Sequence, residues 1–89
     1  MDDVDKVLED RKKTHGNFQT HAEICQRLKD CMRDHGVGLT KLDHDQAEAL
    51  DMILHKIARI LNGNAWEPDH WLDIAGYAKL VYDRLKNER

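Results

Sequence analysis

Between Asp43 and Gly63, the residues Leu50, Ile53, Leu54, Ile57, Ile60 and Leu61 recur at helical spacing. At about 100° per residue they fall on one face of an α-helix, and the pattern is not the alternation of a half-buried strand. Asp43 stands where an N-cap belongs, and Gln46 three residues later makes an approximate capping box. Gly63, between two asparagines, ends the segment. The same periodicity fills the rest of the chain, and breakers are few: one proline and five glycines. Gly16 with Asn17, the pair Gly36 and Gly38, Gly63, and Pro68 divide the chain into four segments.

The spacing predicts a first helix over about Asp2 to Thr14, with Val4, Val7, Leu8 and Arg11 on one side. Asp2, Asp3 and Asp5 suit its N-terminus, and Lys12 and Lys13 suit its C-terminus. A second helix is expected over about Phe18 to His35, with Ile24, Cys25, Leu28, Cys31 and Met32 facing inward and Gly36 as C-cap. The fourth begins near Pro68 or Asp69, with Trp71, Ile74, Ala78, Val81, Tyr82 and Leu85 as its apolar face. Helices three and four are expected to pack antiparallel through Leu50, Ile53, Ile57, Ile74, Ala78 and Val81. The expected fold is all-α, a compact four-helix bundle in a single domain spanning residues 1–89. A chain this short buries only about 60–65% of its unfolded surface. A homo-oligomer, with a helix face or the Trp66–Trp71 region at the contact, would extend its core.

No apolar run approaches the ~20 residues that span a bilayer, and the acidic start does not resemble a signal peptide. A membrane role is therefore not expected. With a net charge of -3 and no basic stripe, nucleic-acid binding is not expected either. Cys25 and Cys31 read as reduced packing thiols in a cytoplasmic protein. The six histidines form no C-x-x-C or H-x-x-x-H pairing that would suggest zinc.

Opposite the apolar stripe of helix three lie Glu48, Asp51, His55, Arg59 and Asn62, within roughly 80° of one another. Two carboxylates one turn apart can share a magnesium ion, and an arginine two turns on can meet a phosphate as a planar fork. The plainer reading is a solvated helix face. On helix four, Asp69 and Asp73 face one side together with Gly76. A helix-interior glycine costs about 1 kcal/mol against alanine, so close approach of a helix or ligand is expected there. The run from Arg11 to Phe18 gathers cations at a turn and can contact phosphates, or it can simply be a cationic helix end.

The strings Glu48-Ala49-Leu50-Asp51-Met52-Ile53-Leu54-His55-Lys56-Ile57-Ala58-Arg59-Ile60 and Asp69-His70-Trp71-Leu72-Asp73-Ile74-Ala75-Gly76-Tyr77-Ala78 resemble a family of small phage and prophage helical proteins. Its members carry an Arg-rich turn ending in Tyr-Gly or His-Gly, matched here by Arg11 through Gly16. That family is similar in helix order and acid placement to the all-α nucleotide pyrophosphohydrolases of the MazG and dimeric dUTPase type. The resemblance implies a magnesium-dependent nucleoside triphosphate pyrophosphohydrolase in the host cytoplasm. Glu48, Asp51 and Asp73 would be catalytic, and Asp69 would join them around Mg2+. Lys13, His15, Lys56 and Arg59 would hold the nucleotide phosphates. The sequence departs from the pyrophosphohydrolase pattern at Ala47, where a second glutamate is usual, and at His70 and Gly76, three residues to either side of Asp73. The alternative is a small non-catalytic phage protein that binds a nucleotide or a host protein through the same surface or through Trp66, Trp71 and Tyr77.

Overall fold

A computed structural model describes residues 3–34 and 41–88. It contains four α-helices, α1 (Asp3–His15), α2 (Phe18–Asp34), α3 (His44–Asn62) and α4 (Pro68–Asn87), and no strand among the described residues. The expected all-helical order holds, and the helix starts agree with the caps read from the sequence. The Gln46 side chain accepts the Asp43 backbone N–H at 2.8 Å and closes the capping box of α3. Pro68 occupies the first turn of α4. The predicted end of α2 at His35, with its Gly36 cap, and the break at Gly38 lie outside the described residues. No helix among the described residues is long and apolar enough to cross a membrane.

α3 is the organising element. α4 and α2 pack along it, and α1 lies against α3 and α2. α3 and α4 run antiparallel, as expected. Arg84 near the end of α4 reaches the start of α3, with Nε 2.5 Å from Asp45 Oδ2 and Nη2 2.8 Å from Asp43 Oδ2. Midway along the pair, Lys56 Nζ lies 3.0 Å from Asp73 Oδ2.

The expected inward faces need correction. On α3 the buried residues are Ala49, Lys56 and Ala58, whereas Leu50 is 40% and Leu61 67% exposed. Ala49 and Lys56 share one side of the helix, and Ala58 lies nearly opposite. Neighbours thus grip α3 from two sides, and the Leu50–Ile57–Leu61 edge falls between them. On α2, Cys25 is buried but Cys31 is exposed, because six residues turn it about 120° away. Val4, Val7 and Leu8 of α1, and Trp71, Ala78, Tyr82 and Leu85 of α4, are also exposed. Among the described residues no large side chain is fully buried, and the buried apolar residues are Cys25, Ala49 and Ala58. The accessible surface is 6884 Å². A globular monomer of this mass exposes about 5,400 Å².

The tightest contact joins the α1–α2 turn to the end of α3. Gly16 has φ +78°, a left-handed conformation open to glycine, and its N–H bonds Lys12 O at 3.0 Å. A Cβ on Gly16 would sit 2.2 Å from Asn62 O, and one on Gly63 would sit 2.2 Å from Thr14 O. The Asn62 side-chain amide donates to Asn17 O at 2.7 Å and to His15 O at 3.3 Å. The Asn64 N–H donates to Thr14 O at 2.9 Å. His70 Nε2 donates to the same carbonyl at 3.0 Å.

Gly76 differs from this pair, because beyond its own helix turn no described residue comes within 4 Å of a Cβ built there. The close approach expected at this glycine is not made among the described residues. The three glycines therefore give a direct test. Gly16→Ala and Gly63→Ala should each lower unfolding free energy by roughly 2 kcal/mol or more, through backbone collision and, at Gly16, strain. Gly76→Ala should be neutral or add up to about 1 kcal/mol to the stability of the single chain. Urea unfolding midpoints of the three variants, measured side by side, check the ordering.

Candidate functional site

The residues expected to hold magnesium do not meet. Glu48 and Asp69 are exposed. Asp51 lines a surface cleft beside Lys29, Met32, Arg33 and Ala47. Asp73 faces Lys56 and borders a groove with Leu72, Gly76, Tyr77 and Leu80. Among the described residues, the group of three or more potential ligands whose donor atoms converge is His21, Cys25 and His55 instead. The Lys56–Asp73 pair also joins one expected phosphate ligand to one expected metal ligand. Lys56 is only 7% exposed, so taking Asp73 away to bind a cation would leave a buried ammonium unpaired.

Of the four residues expected to hold phosphates, His15 and Arg59 come together. They line a cavity of about 330 Å³ with Leu8, Arg11, Gly16, Phe18 and His21. The clasp of the α1–α2 turn onto α3 brings His15 over Arg59, two segments far apart in sequence. Lys13 is exposed and is not among the lining residues. A second cavity, of about 510 Å³, adjoins the first through Leu8, Gly16 and Phe18 and extends to Asp5, Glu9 and Lys12.

The electrostatics of this corner are one-sided. Burial, then the charges of Arg59, His70, Lys56 and Arg11, hold His15 well below the ordinary histidine range, at about 4. Burial also lowers His21, with Arg59, His55 and Lys56 acting in the same direction. His55 is lowered by burial, Lys29 and Arg59, against a smaller opposing pull from Asp51. At neutral pH these imidazoles are therefore uncharged.

Their tautomers follow from their neighbours. Lys29 Nζ lies 3.5 Å from His55 Nε2, and an ammonium can only donate. His55 Nε2 is then the acceptor, and its Nδ1–H donates to Cys25 Sγ at 3.6 Å. Cys25 Sγ also lies 3.5 Å from His21 Nε2, where the thiol donates to the ring or accepts its N–H according to the His21 tautomer. With the thiol as donor, the proton of neutral His21 is on Nδ1. The chain of contacts ends there, because His21 Nδ1 is buried without a partner, and so is Arg59 Nε. Arg59 Nε is a donor, His21 Nδ1 is one when the Cys25 thiol donates to Nε2, and both belong to residues that line the same cavity. Phe18, 79% exposed at its mouth, stacks on His21 with ring centroids 6.2 Å apart.

Reading the sequence for metal pairs by C-x-x-C and H-x-x-x-H passed over His21 and Cys25. Their His-x-x-x-Cys spacing is the signal that would have found them, since residues four apart stack on one helix face. Their partnership with His55, thirty residues on, depends on how α2 meets α3 and has no counterpart in local spacing.

The family model of the domain of unknown function DUF6378 matches residues 1–84. No curated protein and no solved structure matches the chain. With the match covering nearly all of its length, the chain belongs to the DUF6378 family.

Proposed function

We propose that this protein binds a nucleotide without hydrolysing it, holding the phosphates in the cavity between the α1–α2 turn and α3. The observation that carries this reading is that His21 and Arg59, each with a buried nitrogen that has no partner (Nδ1 and Nε), both line that one cavity. A buried polar nitrogen without a partner costs about 1–3 kcal/mol, and phosphate oxygens would satisfy both once the two side chains turn towards the cavity. Arg11 adds a third contact, the second cationic one, and His15 a fourth. Exposed Phe18 and Leu8 offer a base an apolar platform beside the phosphates. The adjoining cavity gives room for the sugar and base. The dispersed acids and the Lys56–Asp73 pair favour this over magnesium-dependent pyrophosphate release.

The test is calorimetric titration of a nucleoside triphosphate, its diphosphate and inorganic phosphate into the full chain, together with an assay for pyrophosphate in the presence of magnesium. Binding without pyrophosphate release is expected. Arg59→Gln should weaken binding about tenfold or more. Equal binding by that variant, or no binding of any phosphate compound, would discard the reading. The pH dependence has a fixed sign. An anion favours protonated His15, so the imidazole should titrate at higher pH in the complex than in the free protein. In the ligand-free protein, by contrast, the neutral His15 contributes stability that is full above pH 6.5 and is lost as pH falls towards about 4. Histidine resonances followed by NMR, with and without phosphate, report both effects.

We further infer that the working unit is a homodimer. The observation that favours it is an exposed apolar stripe on α4. Leu72, Gly76 and Leu80 repeat every four residues along α4. The leucines are 67% and 68% exposed, with the gap at Gly76 between them. A helix of a second copy would fill that gap. Sedimentation of the wild type at micromolar concentration should give a dimer, and Leu80→Glu should give a monomer. A wild-type monomer at that concentration would rule the dimer out.

A further inference from the structure

We propose that His21, Cys25 and His55 form a zinc site bridging α2 and α3. The three donor atoms lie within 4.8 Å of one another. Cys25 Sγ is 3.5 Å from His21 Nε2 and 3.6 Å from His55 Nδ1. A tetrahedral zinc ion with bonds of about 2.3 Å to sulfur and 2.05 Å to nitrogen holds those atoms about 3.6 Å apart. Both of these edges therefore match such a tetrahedron, and the third, between the two imidazole nitrogens, is within 4.8 Å against about 3.4 Å around zinc. Two imidazoles and one thiolate are soft or borderline donors that suit zinc far better than magnesium. His21 and Cys25 are 8% and 2% exposed, so the ligands are held by their surroundings rather than by the ion. With three protein ligands, the fourth position is left for water or a bound group, as in zinc centres that take part in chemistry.

Loading exchanges one proton. Zinc replaces the hydrogen of the Cys25 thiol, which leaves to solvent, while both imidazoles coordinate as neutral ligands. The ion takes His55 at Nδ1, so the ring proton moves to Nε2, and the Lys29 ammonium now 3.5 Å from that atom must swing away. Asp51, one turn before His55 on α3 and beside Lys29 in the surface cleft, is the acceptor that would then orient the ring. Lys29 is thus a competitor for the site. This inference does not rest on nucleotide binding, and its test contains no phosphate.

The experiment is titration of the reduced full chain with cobalt(II) in phosphate-free buffer, followed by displacement with zinc. One cobalt per chain is expected, with thiolate-to-cobalt charge transfer in the near ultraviolet and the intense visible bands of a tetrahedral ion, both removed by zinc. Cys31→Ser should keep the spectrum, and Cys25→Ala should abolish it. His55→Gln, which spares the thiol, should weaken binding about tenfold or more, and Lys29→Met should tighten it. Absence of the charge-transfer band in wild type overturns the proposal, as does a band that survives in Cys25→Ala or depends on Cys31.

Discussion

The fold hinges on a backbone crossing with no spare room. Two chain segments, Thr14–Asn17 and Asn62–Asn64, pass so close that a single methyl group on Gly16 or Gly63 would collide with a carbonyl of the other. Such proximity leaves polar backbone groups without water, and each needs a partner. The Asn62 amide, the Asn64 N–H and the His70 ring provide them. Because Thr14 O receives both Asn64 and His70, one carbonyl ties the turn to the α3–α4 loop and to the first turn of α4. Three of the four helices are fixed at one point, and His15, Arg59 and His70 are gathered around it.

That point decides where charge goes. The chain as a whole is acidic, yet the half-buried corner beside the crossing collects Arg11, Arg59, Lys56 and four of the six histidines, while most carboxylates stay at the surface. Lys56 is met by Asp73; no ion pair of Arg11 or Arg59 with a carboxylate is seen among the described residues. Net charge describes solubility and says little about a site. Here the acidic total coexists with a corner in which the fold gathers cations. The depressed histidines are the mark of this corner: burial and cations both disfavour their protonation, and an anion would reverse the second cause.

The helices were legible because their signals are local: caps, breakers and a period of 3.6. The capping box at Asp43 and Gln46 and the stops at Gly16 and Gly63 needed nothing from the rest of the chain. Which faces are buried was less legible, because α3 has neighbours on more than one side. A hydrophobic stripe identifies the surface that seeks cover. On α3 the positions gripped from both sides are instead small residues, Ala49 and Ala58, whose size permits close approach. For the site, His15 and Arg59 were within reach of the sequence, since a cationic turn and an arginine on the polar side of α3 both suggest phosphate. Among the described residues the acids do not gather three or more together, because helical spacing places Glu48 with Asp51 and Asp69 with Asp73 in pairs but does not turn the pairs towards each other. The register of α3 on α4 set Asp73 against Lys56.

His21 stands where the metal and anion proposals meet, and its two nitrogens separate the roles. Nε2 faces Cys25, and Nδ1 is the buried, unpartnered nitrogen on a residue that lines the cavity. A metal-bound imidazole ordinarily donates its other N–H to an acceptor, which fixes the ring and raises its basicity. A phosphate oxygen in the cavity would be that acceptor. Zinc with one thiolate leaves a single positive charge in a corner already crowded with cations, which an anion offsets. The two ligands would therefore favour each other, and by linkage each would raise the other's affinity by the same factor. A corner that carries uncompensated donors and cations in the free protein is then the expected state of a site whose balance is completed from outside.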